Sequence, residues 1–522
     1  MAEIIDLIVS PAEAASEDVV KSICVEKLHL ENAETFSIRI LKRSIDARKA
    51  PVKIQLRVAV YASDEISAQA ASLQIPQLQN VRNAPEIGII GAGPAGLFAA
   101  LQLIHLGYKP IVIERGKDVR ERRRDLAQLN KAQIVNPNSN YCFGEGGAGT
   151  YSDGKLYTRS HKRGSIQQIL DTFIHFGASP DIAVDAHPHI GTNKLPQIIR
   201  AMRQSIVDCG GEVLFNSLVI DFECAGQNIR KIILQNGKKI SVNAVILATG
   251  HSARDIFRLF QQKKWLIEAK NFALGVRIEH PQAVIDQMQY HCAVRGEYLP
   301  PATYKIVRQV AEKGVYSFCM CPGGVIAACA TENGEIVTNG WSPSRRNNPF
   351  ANSGFVTEVS ANDTRTFAKE GALSAMAFQA MVEQNAYRSV GDGLKAPAQR
   401  MLDFVEGKVS AHLPDCSYYP GIVAVDLREV LTANIYQTLR TALLQLKKFM
   451  PAYYTNEAVL VAPESRTSSP VRIPRDAQTL MHVQIGGLFP CGEGAGYAGG
   501  IVSAAIDGIR CAEAAIKWLE KV

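Results

Sequence analysis

The sequence contains no long apolar run that is free of polar residues, which argues against a membrane-spanning segment. Its two most apolar stretches, residues 87–106 and 485–509, are rich in glycine and carry polar side chains such as Gln102 and Asp507. Side chains of this kind are costly in the hydrocarbon core of a bilayer. We therefore predict that both stretches are buried elements of a protein that does not insert into membranes.

Other features that would narrow the functional class are also missing. The eleven cysteines are scattered without the spacing of a disulfide framework, and the first residues, Met-Ala-Glu-Ile-Ile-Asp, include no charged leader region. Both observations favour a reducing, cytoplasmic setting. A net charge of +7 is small for 522 residues and gives no support to a nucleic-acid-binding role. The composition is that of an ordinary globular protein, and the length predicts roughly three domains.

A glycine-rich motif is the most informative feature that is present. An apolar strand over residues 87–90 leads into Gly91-x-Gly93-x-x-Gly96, and a helix over 97–106 and a second strand over 110–114 are predicted to follow. This is the setting in which such a turn binds the diphosphate of a dinucleotide. The unpaired N–H groups at the start of the helix would face the phosphates. The predicted contacts of this motif are Gly91, Ala92, Gly93, Pro94, Ala95 and Gly96.

Three later segments narrow the choice of cofactor. Glu114, followed by Arg115, ends the second strand, where a carboxylate can bind a ribose 2′-hydroxyl and so favours FAD or NAD over NADP. A strand over 242–250 ends in a small-residue turn, and a glycine-rich turn precedes the last helix. FAD lies extended across its domain, so a distant C-terminal turn must meet its ribityl chain. We therefore predict FAD as the cofactor, with further contacts from Thr249, Gly250, Gly492, Glu493, Gly500 and Ile501.

A second glycine-rich segment, residues 143–156, is predicted to lie against the flavin. Its contacts would be Gly146, Gly147, Ala148 and Gly149, because a Cβ on these glycines would collide with a ring packed against them. Lys155 follows and is a candidate for stabilising negative charge at N1–C2=O of the reduced flavin. The alternative for Lys155 is a surface cation outside the site. A strand over 213–220 is predicted to pass the adenine end through Val219, the alternative being a plain edge strand.

Seven longer motifs make the resemblance to one known protein family specific. They are residues 44–48, 143–156, 189–194, 248–255, 272–280, 318–324 and 464–472. Through these motifs nearly the whole chain resembles the bacterial family of uncharacterised FAD-dependent dehydrogenases in the glutathione-reductase-like flavoprotein superfamily. The resemblance implies an FAD-binding protein with redox activity and supplies no substrate. One departure is Glu493, which stands where the superfamily usually has aspartate, and its longer side chain would move the contact with the ribityl chain.

The order of predicted elements indicates an α/β fold in three parts. Residues 1–80 show a β-α-β-β order that predicts a small ferredoxin-like α+β domain. Residues 86–268 and 463–522 predict one discontinuous Rossmann-type FAD-binding domain. Both segments contain strands followed by glycine-rich turns, whereas the sequence pattern of the residues between them is different. That stretch, residues 269–462, predicts an inserted α+β substrate or cap domain.

The first 80 residues raise the alternative of an RNA-binding module. They carry a basic cluster over residues 42–49, which is usually a solvated turn or a docking face. Their net charge is −2, from 9 basic and 11 acidic side chains, and this argues against RNA. Residues 66–85, which are rich in glutamine and contain proline, predict a linker.

The cysteines do not match a flavin-dependent disulfide reductase, which carries its redox pair on the helix soon after the glycine motif. The first cysteine beyond that motif is the solitary Cys142. Cys319-Met-Cys321 could be redox-active or bind a metal, but two isolated thiols make a poor zinc site. Their apolar neighbours favour buried structural cysteines. We predict no metal site.

Three side chains are predicted as candidates for catalysis. Lys155 is the first, and the second is His187 of His187-Pro-His189, for which a loop anchor is the alternative. The third is Arg466, because arginine in a dry cleft suits a carboxylate or another planar anion. Arg277 and Arg472 have the same potential, and for all three arginines the alternative is an ion pair that braces the domain junction.

These features together predict an FAD-dependent oxidoreductase that transfers a hydride at flavin N5, in a cleft between the FAD-binding and cap domains. Only one phosphate-binding motif is present, so a second dedicated NAD(P)H domain is not expected. NAD(P)H would reach the flavin only transiently, through the same cleft as a small-molecule substrate. The alternatives are an RNA-modifying flavoprotein and a flavin electron-transfer module without its own substrate. The substrate and the oligomeric state are left open.

Overall fold

A computed structural model describes residues 2–30, 35–62, 73–158, 163–391 and 393–521. Within the predicted linker, residues 66–72 lie outside these ranges. In the described part of the chain, no helix combines the length and the apolar character needed to cross a membrane. The two most apolar stretches each divide into a strand, a glycine-rich turn and a helix, as predicted.

The N-terminal part is a three-stranded antiparallel sheet with two helices. Its strands are Glu3–Val9, Phe36–Asp46 and Lys53–Ala62, and its helices are Pro11–Ala14 and Glu17–Lys27. The third strand lies between the first two and runs antiparallel to both, which confirms the β-α-β-β order. A ferredoxin-like fold needs a further helix and strand, which the described residues up to 62 do not include, so that assignment stays a prediction.

The basic cluster at residues 42–49 contacts the rest of the chain. The Arg43 guanidinium bonds the carboxylates of Asp185 at 2.7 Å and Asp181 at 3.2 Å. The Arg43 amide donates to the Val184 carbonyl at 3.0 Å. Part of the cluster is therefore a docking face between the N-terminal sheet and the main body. This leaves less of its charge available for a nucleic acid.

A five-stranded parallel sheet carries the glycine motif. In spatial order its strands are Leu488–Pro490, Val245–Leu247, Glu86–Ile90, Lys109–Ile113 and Glu212–Leu214. All neighbouring pairs are parallel, so residues far apart in the chain end at one edge of the sheet. The helices Pro94–His105 and Ile501–Leu519 pack closely at Gly508. A Cβ on this residue would collide with the Ala95 carbonyl oxygen.

Further helices and a small antiparallel sheet surround the parallel sheet. The helices are Val119–Ala132, Ile166–His175, Leu195–Asp208 and Arg254–Gln262, and the small sheet is formed by Val219–Ala225, Asn228–Leu234 and Lys239–Ser241. The prediction of one strand over 213–220 is wrong. The chain turns between Leu214 and Val219, where Asn216 has a left-handed φ of 52°, and the two strands belong to different sheets.

A seven-stranded sheet forms the centre of the region predicted as the cap. In spatial order its strands are Val307–Val310, Lys313–Cys321, Phe350–Val359, Phe272–Pro281, Val459–Glu464, Ala396–Arg400 and Ile422–Ala424. All neighbours are antiparallel except the last pair. The helices around it are Gln282–Tyr290, Ser374–Val390, Met401–Glu406 and Ala433–Phe449. The two-stranded ladders beside it are Val325–Ala328 with Thr338–Trp341, and Glu268–Ala269 with Val471–Arg472.

The apolar spacing predicts one helix over residues 366–388, and the structure shortens it. Residues Arg365–Leu373 form 3-10 turns, and the α-helix begins at Ser374. Gly371 has φ 57° and ψ −123°, which a helix does not accommodate. Short 3-10 turns also occur at Gly147–Gly149 and Pro180–Ala183.

The apolar cores follow the two large sheets. Separate clusters of buried side chains cover the two faces of the parallel sheet, and a third packs under the seven-stranded and N-terminal sheets. Residues from the regions of both large sheets line one open space. The functional residues are positioned around this space.

Candidate cofactor-binding and active site

The glycine motif forms a tight turn with free N–H groups. Strand Glu86–Ile90 ends at Gly91, whose φ of 105° is left-handed, and a helix starts at Pro94 with Gly93 as its N-cap. A Cβ on Gly96 would collide with the Gly91 carbonyl oxygen, so the helix passes directly behind the turn. No side chain caps the helix start, which leaves its positive end available to an anion.

Glu114 holds this turn to its neighbours. Its buried carboxylate accepts hydrogen bonds from the backbone N–H groups of Ala92 at 2.9 Å, Gly116 at 2.9 Å and Gly144 at 3.0 Å. An ionised carboxylate offers about four lone-pair sites, so one remains for a further donor such as a ribose hydroxyl. The carboxylate therefore has a structural task that the sequence pattern does not reveal.

The second glycine segment lies directly against the first. A Cβ on Gly147 would be 3.1 Å from the Gly93 Cα atom, so the two backbones approach without side chains between them. The fully buried guanidinium of Arg122 fixes this loop. Its hydrogen bonds go to the carbonyl oxygens of Asn140, Tyr141, Gly144 and Glu145. Sequence analysis missed Arg122, which belongs to an otherwise ordinary charged helix.

The C-terminal turn is held by acidic side chains. The Gly492 N–H donates to the Asp507 carboxylate at 2.8 Å, and Arg475 bonds the same carboxylate at 2.7 Å. The Glu493 carboxylate accepts the N–H of Gly500, just before the last helix. Burial raises the pKa of Glu493. Glu493 therefore orders this turn as well as facing the space beside it.

These segments line one cavity of about 1670 Å³ of empty space, part of it open to solvent. Every predicted cofactor contact lines the cavity except Ala92, Gly96 and Gly146. The Ala92 N–H bonds Glu114, Gly96 packs behind the turn, and the Gly146 N–H donates to the Ala92 carbonyl at 2.8 Å. These three residues lie behind the cavity wall and shape it.

The seven-stranded sheet and the segment after it close the opposite side of the cavity. The lining residues from this side are Phe318, Cys319, Cys321, Asn339, Gly340, Arg466 and Thr467. Lys155 also lines the cavity, donates to the Met320 carbonyl and lies 3.8 Å from the Asp153 carboxylate. Lys155 therefore borders the cavity, and its role at the flavin stays a prediction.

The structure does not place His187 in the site. It is exposed, and its ring packs against Tyr157 with the centroids 5.3 Å apart. His189 Nε2 lies 3.2 Å from the Ser344 carbonyl oxygen. The prediction of a catalytic role for His187 is corrected, because this residue lies at the surface and does not line the cavity.

Two of the three arginines do not line the cavity. Arg277 is fully buried and bonds the Glu464 carboxylate at 3.0 Å and Asn352 Oδ1 at 2.9 Å, so it braces the seven-stranded sheet. Arg472 is exposed and lies over the Tyr497 ring. The anion-binding prediction is therefore wrong for Arg277 and Arg472 in this structure.

Arg466 belongs to a buried cluster of four charges at the cavity wall. It forms a bidentate pair with Glu383 at 2.7 and 2.9 Å. Arg254 bonds the same carboxylate at 2.7 Å and Glu335 at 2.7 Å. Burial opposes ionisation of Glu383, but the two guanidiniums outweigh it and lower its pKa. Burial and the neighbouring Glu383 raise the pKa of Glu335.

Two donors of this cluster, Arg254 Nε and Arg466 Nη1, are unused among the described residues. Arg466 Nη1 is buried and has no hydrogen-bond partner among the described residues, although Arg466 lines the cavity. A buried unpaired donor costs free energy, and an acceptor on a bound molecule would satisfy it. Arg466 thus keeps its predicted suitability for an anion and also braces the wall.

His251 is a cavity residue that sequence analysis missed. Its Nε2 lies 3.8 Å from the Glu493 carboxylate, and burial lowers its pKa to about 4. Because the unfolded chain binds a proton near the ordinary pKa of 6.5, folding stability is lost as the pH falls from 6.5 towards 4.

We expect acidification from pH 7 to pH 5 to remove about 2 kcal/mol of stability through His251. The His251→Gln variant should lose correspondingly less over the same interval, as measured by unfolding of the flavin-free protein at the two pH values. The His187→Gln variant, altered at an exposed position, is the matched control and should follow the wild type. An equal pH dependence in all three proteins would contradict the assignment.

The cavity fits a bound FAD. The ideal Cβ of Gly93 finds only the Gly147 Cα, at 3.9 Å, and those of Gly250, Gly499 and Gly500 meet nothing within 4 Å among the described atoms. Four glycines therefore leave space where side chains would stand, along a path from the phosphate turn to the C-terminal turn. Open helix starts at Pro94 and Ile501 border the same path, and they suit an extended ligand that carries phosphates.

The comparisons agree with this fit. A family model described as "FAD-dependent protein, C-terminal domain-like" matches residues 271–467, and a domain of unknown function matches residues 1–61. FAD is the cofactor that this family model and the cavity indicate. The chain belongs to the same family as an "Uncharacterized protein" of Clostridium beijerinckii, which is 39% identical over 510 residues, or 94% of each chain. The narrower assignment to the glutathione-reductase-like superfamily stays a prediction.

Solved flavoproteins show distant similarity. A flavoprotein/dehydrogenase from Cytophaga hutchinsonii is 12% identical with a TM-score of 0.35, over 84% of this chain and 79% of that one. CtdE in complex with FAD is 12% identical with a TM-score of 0.31, over 83% of this chain and 84% of that one. Similarity at this level does not establish a shared activity.

Proposed function

We propose that this protein is an FAD-dependent oxidoreductase that transfers a hydride between flavin N5 and a small molecule in the cavity between the two large sheets. One observation carries the proposal. The phosphate turn at Gly93, the C-terminal turn at Glu493 and the residues of the seven-stranded sheet line the same cavity. A cofactor held by the first two is therefore open to a substrate that enters against the third.

The residues of the chain bind and orient the two molecules. The Ala95 N–H and the positive end of the helix that starts at Pro94 would hold the diphosphate, and the free acceptor site of Glu114 would hold a ribose hydroxyl. The glycine segment near Gly147 would carry the ring system. The bound flavin supplies the hydride chemistry. Phe318 and the Arg466 cluster would limit the access of water from the opposite side.

The cavity also provides charge where reduction would create it. Lys155 carries its ammonium group at the cavity edge, half-buried and held by the Met320 carbonyl. A fixed cation beside a developing anion stabilises the reduced state without reorganisation. The unused N–H of Arg466 would bind an acceptor such as a substrate carboxylate.

Anaerobic titration of the FAD-loaded protein tests the proposal. NADH, NADPH, hydroxy acids, unsaturated acids and amines are added in turn while the visible flavin absorbance is recorded. We expect one class to bleach or reoxidise the flavin with multiple turnovers. Electron exchange with a protein partner alone would contradict the proposal and identify an electron-transfer module.

Replacing Lys155 with methionine should make the flavin midpoint potential more negative by about 30 mV, which is about 1.4 kcal/mol for a two-electron couple. The cause is the loss of a cation next to the reduced ring. Spectroelectrochemical titration measures the shift. Lys408→Met, at an exposed position, serves as the control, and identical potentials in both variants and the wild type would remove Lys155 from this role.

A further inference from the structure

Cys319 has a backbone conformation that cysteine rarely adopts. Its φ of 43° is left-handed, within the strand Lys313–Cys321. The pairing with the neighbouring strand shifts register at this point, with Phe318 opposite Gly354 and Cys321 opposite Asn352. Cys319 and Met320 thus lie opposite the single residue Ser353, which is a β-bulge. Glycine is the usual occupant of such a position, and side chains in strained conformations cluster at functional sites.

The bulge presents two thiols to the cofactor cavity. Cys319 and Cys321 both line it, Cys319 as an exposed residue and Cys321 as a buried one. The prediction of buried structural cysteines is therefore wrong for Cys319. The Cys321 thiol folds back to 3.2 Å from the Cys319 carbonyl oxygen. Two positions along a strand place the Cα atoms about 6.8 Å apart at most, the upper end of the range that a disulfide accepts.

Cationic groups lie on both sides of the pair. The Lys155 ammonium bonds the carbonyl of Met320, the residue between the two cysteines. Arg277 Nη2 donates to the Cys321 sulfur at 3.6 Å. Although Cys319 is exposed at the cavity surface, the protein atoms packed around its thiol keep water away from it and raise its pKa to about 11, against the opposing effects of Lys155 and Arg277. Cys319 therefore stays a neutral thiol in the free protein, and the cations favour the thiolate that forms when its proton is removed.

We propose that Cys319 and Cys321 form a dithiol–disulfide couple that exchanges two electrons with the FAD bound in this cavity. The inference rests on the proposed function for the presence of FAD. In one direction the two thiols lose two protons and two electrons, an S–S bond forms between the sulfurs, and FAD becomes FADH₂. In the other direction a hydride donor reduces the flavin, the S–S bond breaks, and the dithiol reduces a small disulfide compound by thiol–disulfide exchange.

Reductive titration of the anaerobic, FAD-loaded protein with dithionite tests the couple by counting electrons. After mild oxidation, the wild type should take up four electrons per FAD, two for the flavin and two for the disulfide. The variants Cys319→Ser and Cys321→Ser should take up two. Cys142→Ser, which changes another thiol of the cavity, should still take up four. Uptake of two electrons by the oxidised wild type would overturn the proposal.

Two further measurements separate the couple from folding and from cofactor binding. The variant Cys319→Gly places the residue that favours the left-handed conformation at the bulge, so it should fold at least as well as the wild type and take up two electrons. The oxidised wild type is also denatured, alkylated and analysed by mass spectrometry. Cys319 and Cys321 should both escape alkylation, because a disulfide joins them. Free thiols at both positions would refute the couple, whereas a protein without FAD would refute the proposed function.

Discussion

Replacing Gly93 with valine is expected to remove FAD from the protein while leaving its fold intact. Gly93 has an ordinary φ of −78°, and among the described atoms a Cβ there finds only the Gly147 Cα, at 3.9 Å. The protein itself therefore tolerates a side chain at this position. The valine would occupy the place of the diphosphate, and we expect FAD affinity to fall more than about a hundredfold, or about 2.8 kcal/mol.

Flavin content after purification and FAD titration of the flavin-free protein measure this effect. The Gly296→Val variant is the matched control, since its Cβ meets nothing within 4 Å in the described structure and Gly296 is not a cavity residue. The contrasting variant is Gly96→Ala, whose Cβ would collide with the Gly91 carbonyl oxygen and should cost stability. A Gly93→Val protein that stays yellow and saturated with FAD would refute the phosphate site.

Replacing Glu383 with alanine is expected to destabilise the protein by about 3–5 kcal/mol. The carboxylate is fully buried between the guanidiniums of Arg254 and Arg466. Its loss leaves two buried positive charges, with Glu335 as their remaining carboxylate. Removing one partner from such a cluster is strongly destabilising, because it leaves a buried charge without compensation.

Thermal or denaturant unfolding of the Glu383→Ala variant measures this loss. Glu332→Ala is the matched control, because Glu332 also faces an arginine but at 3.7 Å and half exposed. Surface pairs of this type contribute at most about 1 kcal/mol. Equal stability of the two variants would mean that the buried cluster does not hold the cavity wall.

The sequence predicted the parts of the fold that depend on local pattern. The strand and helix around Gly91–Gly96, the acid at Glu114 and the late glycine turn at Glu493 all have strong local signals, and the structure brings them to one cavity. The predictions of one helix over 366–388 and one strand over 213–220 were wrong, and the cause is local in both cases. Gly371 and Asn216 adopt left-handed conformations, which the spacing of apolar residues does not indicate.

The far wall of the cavity could not be predicted in the same way. Cys319 lines the cavity, His251 lies 3.8 Å from the Glu493 carboxylate, and Arg254 bonds Glu335 at 2.7 Å. Their roles depend on contacts between residues far apart in the chain, which no spacing along one segment encodes. The prediction for His187 was wrong for a different reason. Its local motif indicated a catalytic role, but the fold leaves the residue exposed at the surface.

Hydrogen–deuterium exchange with and without FAD tests the central claim most directly. The claim is that two segments separated by nearly the whole chain, around Gly93 and around Glu493, grip one FAD molecule. We predict that adding FAD to the flavin-free protein slows amide exchange in both segments at once, with the same dependence on FAD concentration. Protection of only one segment, or of neither, would contradict the claim.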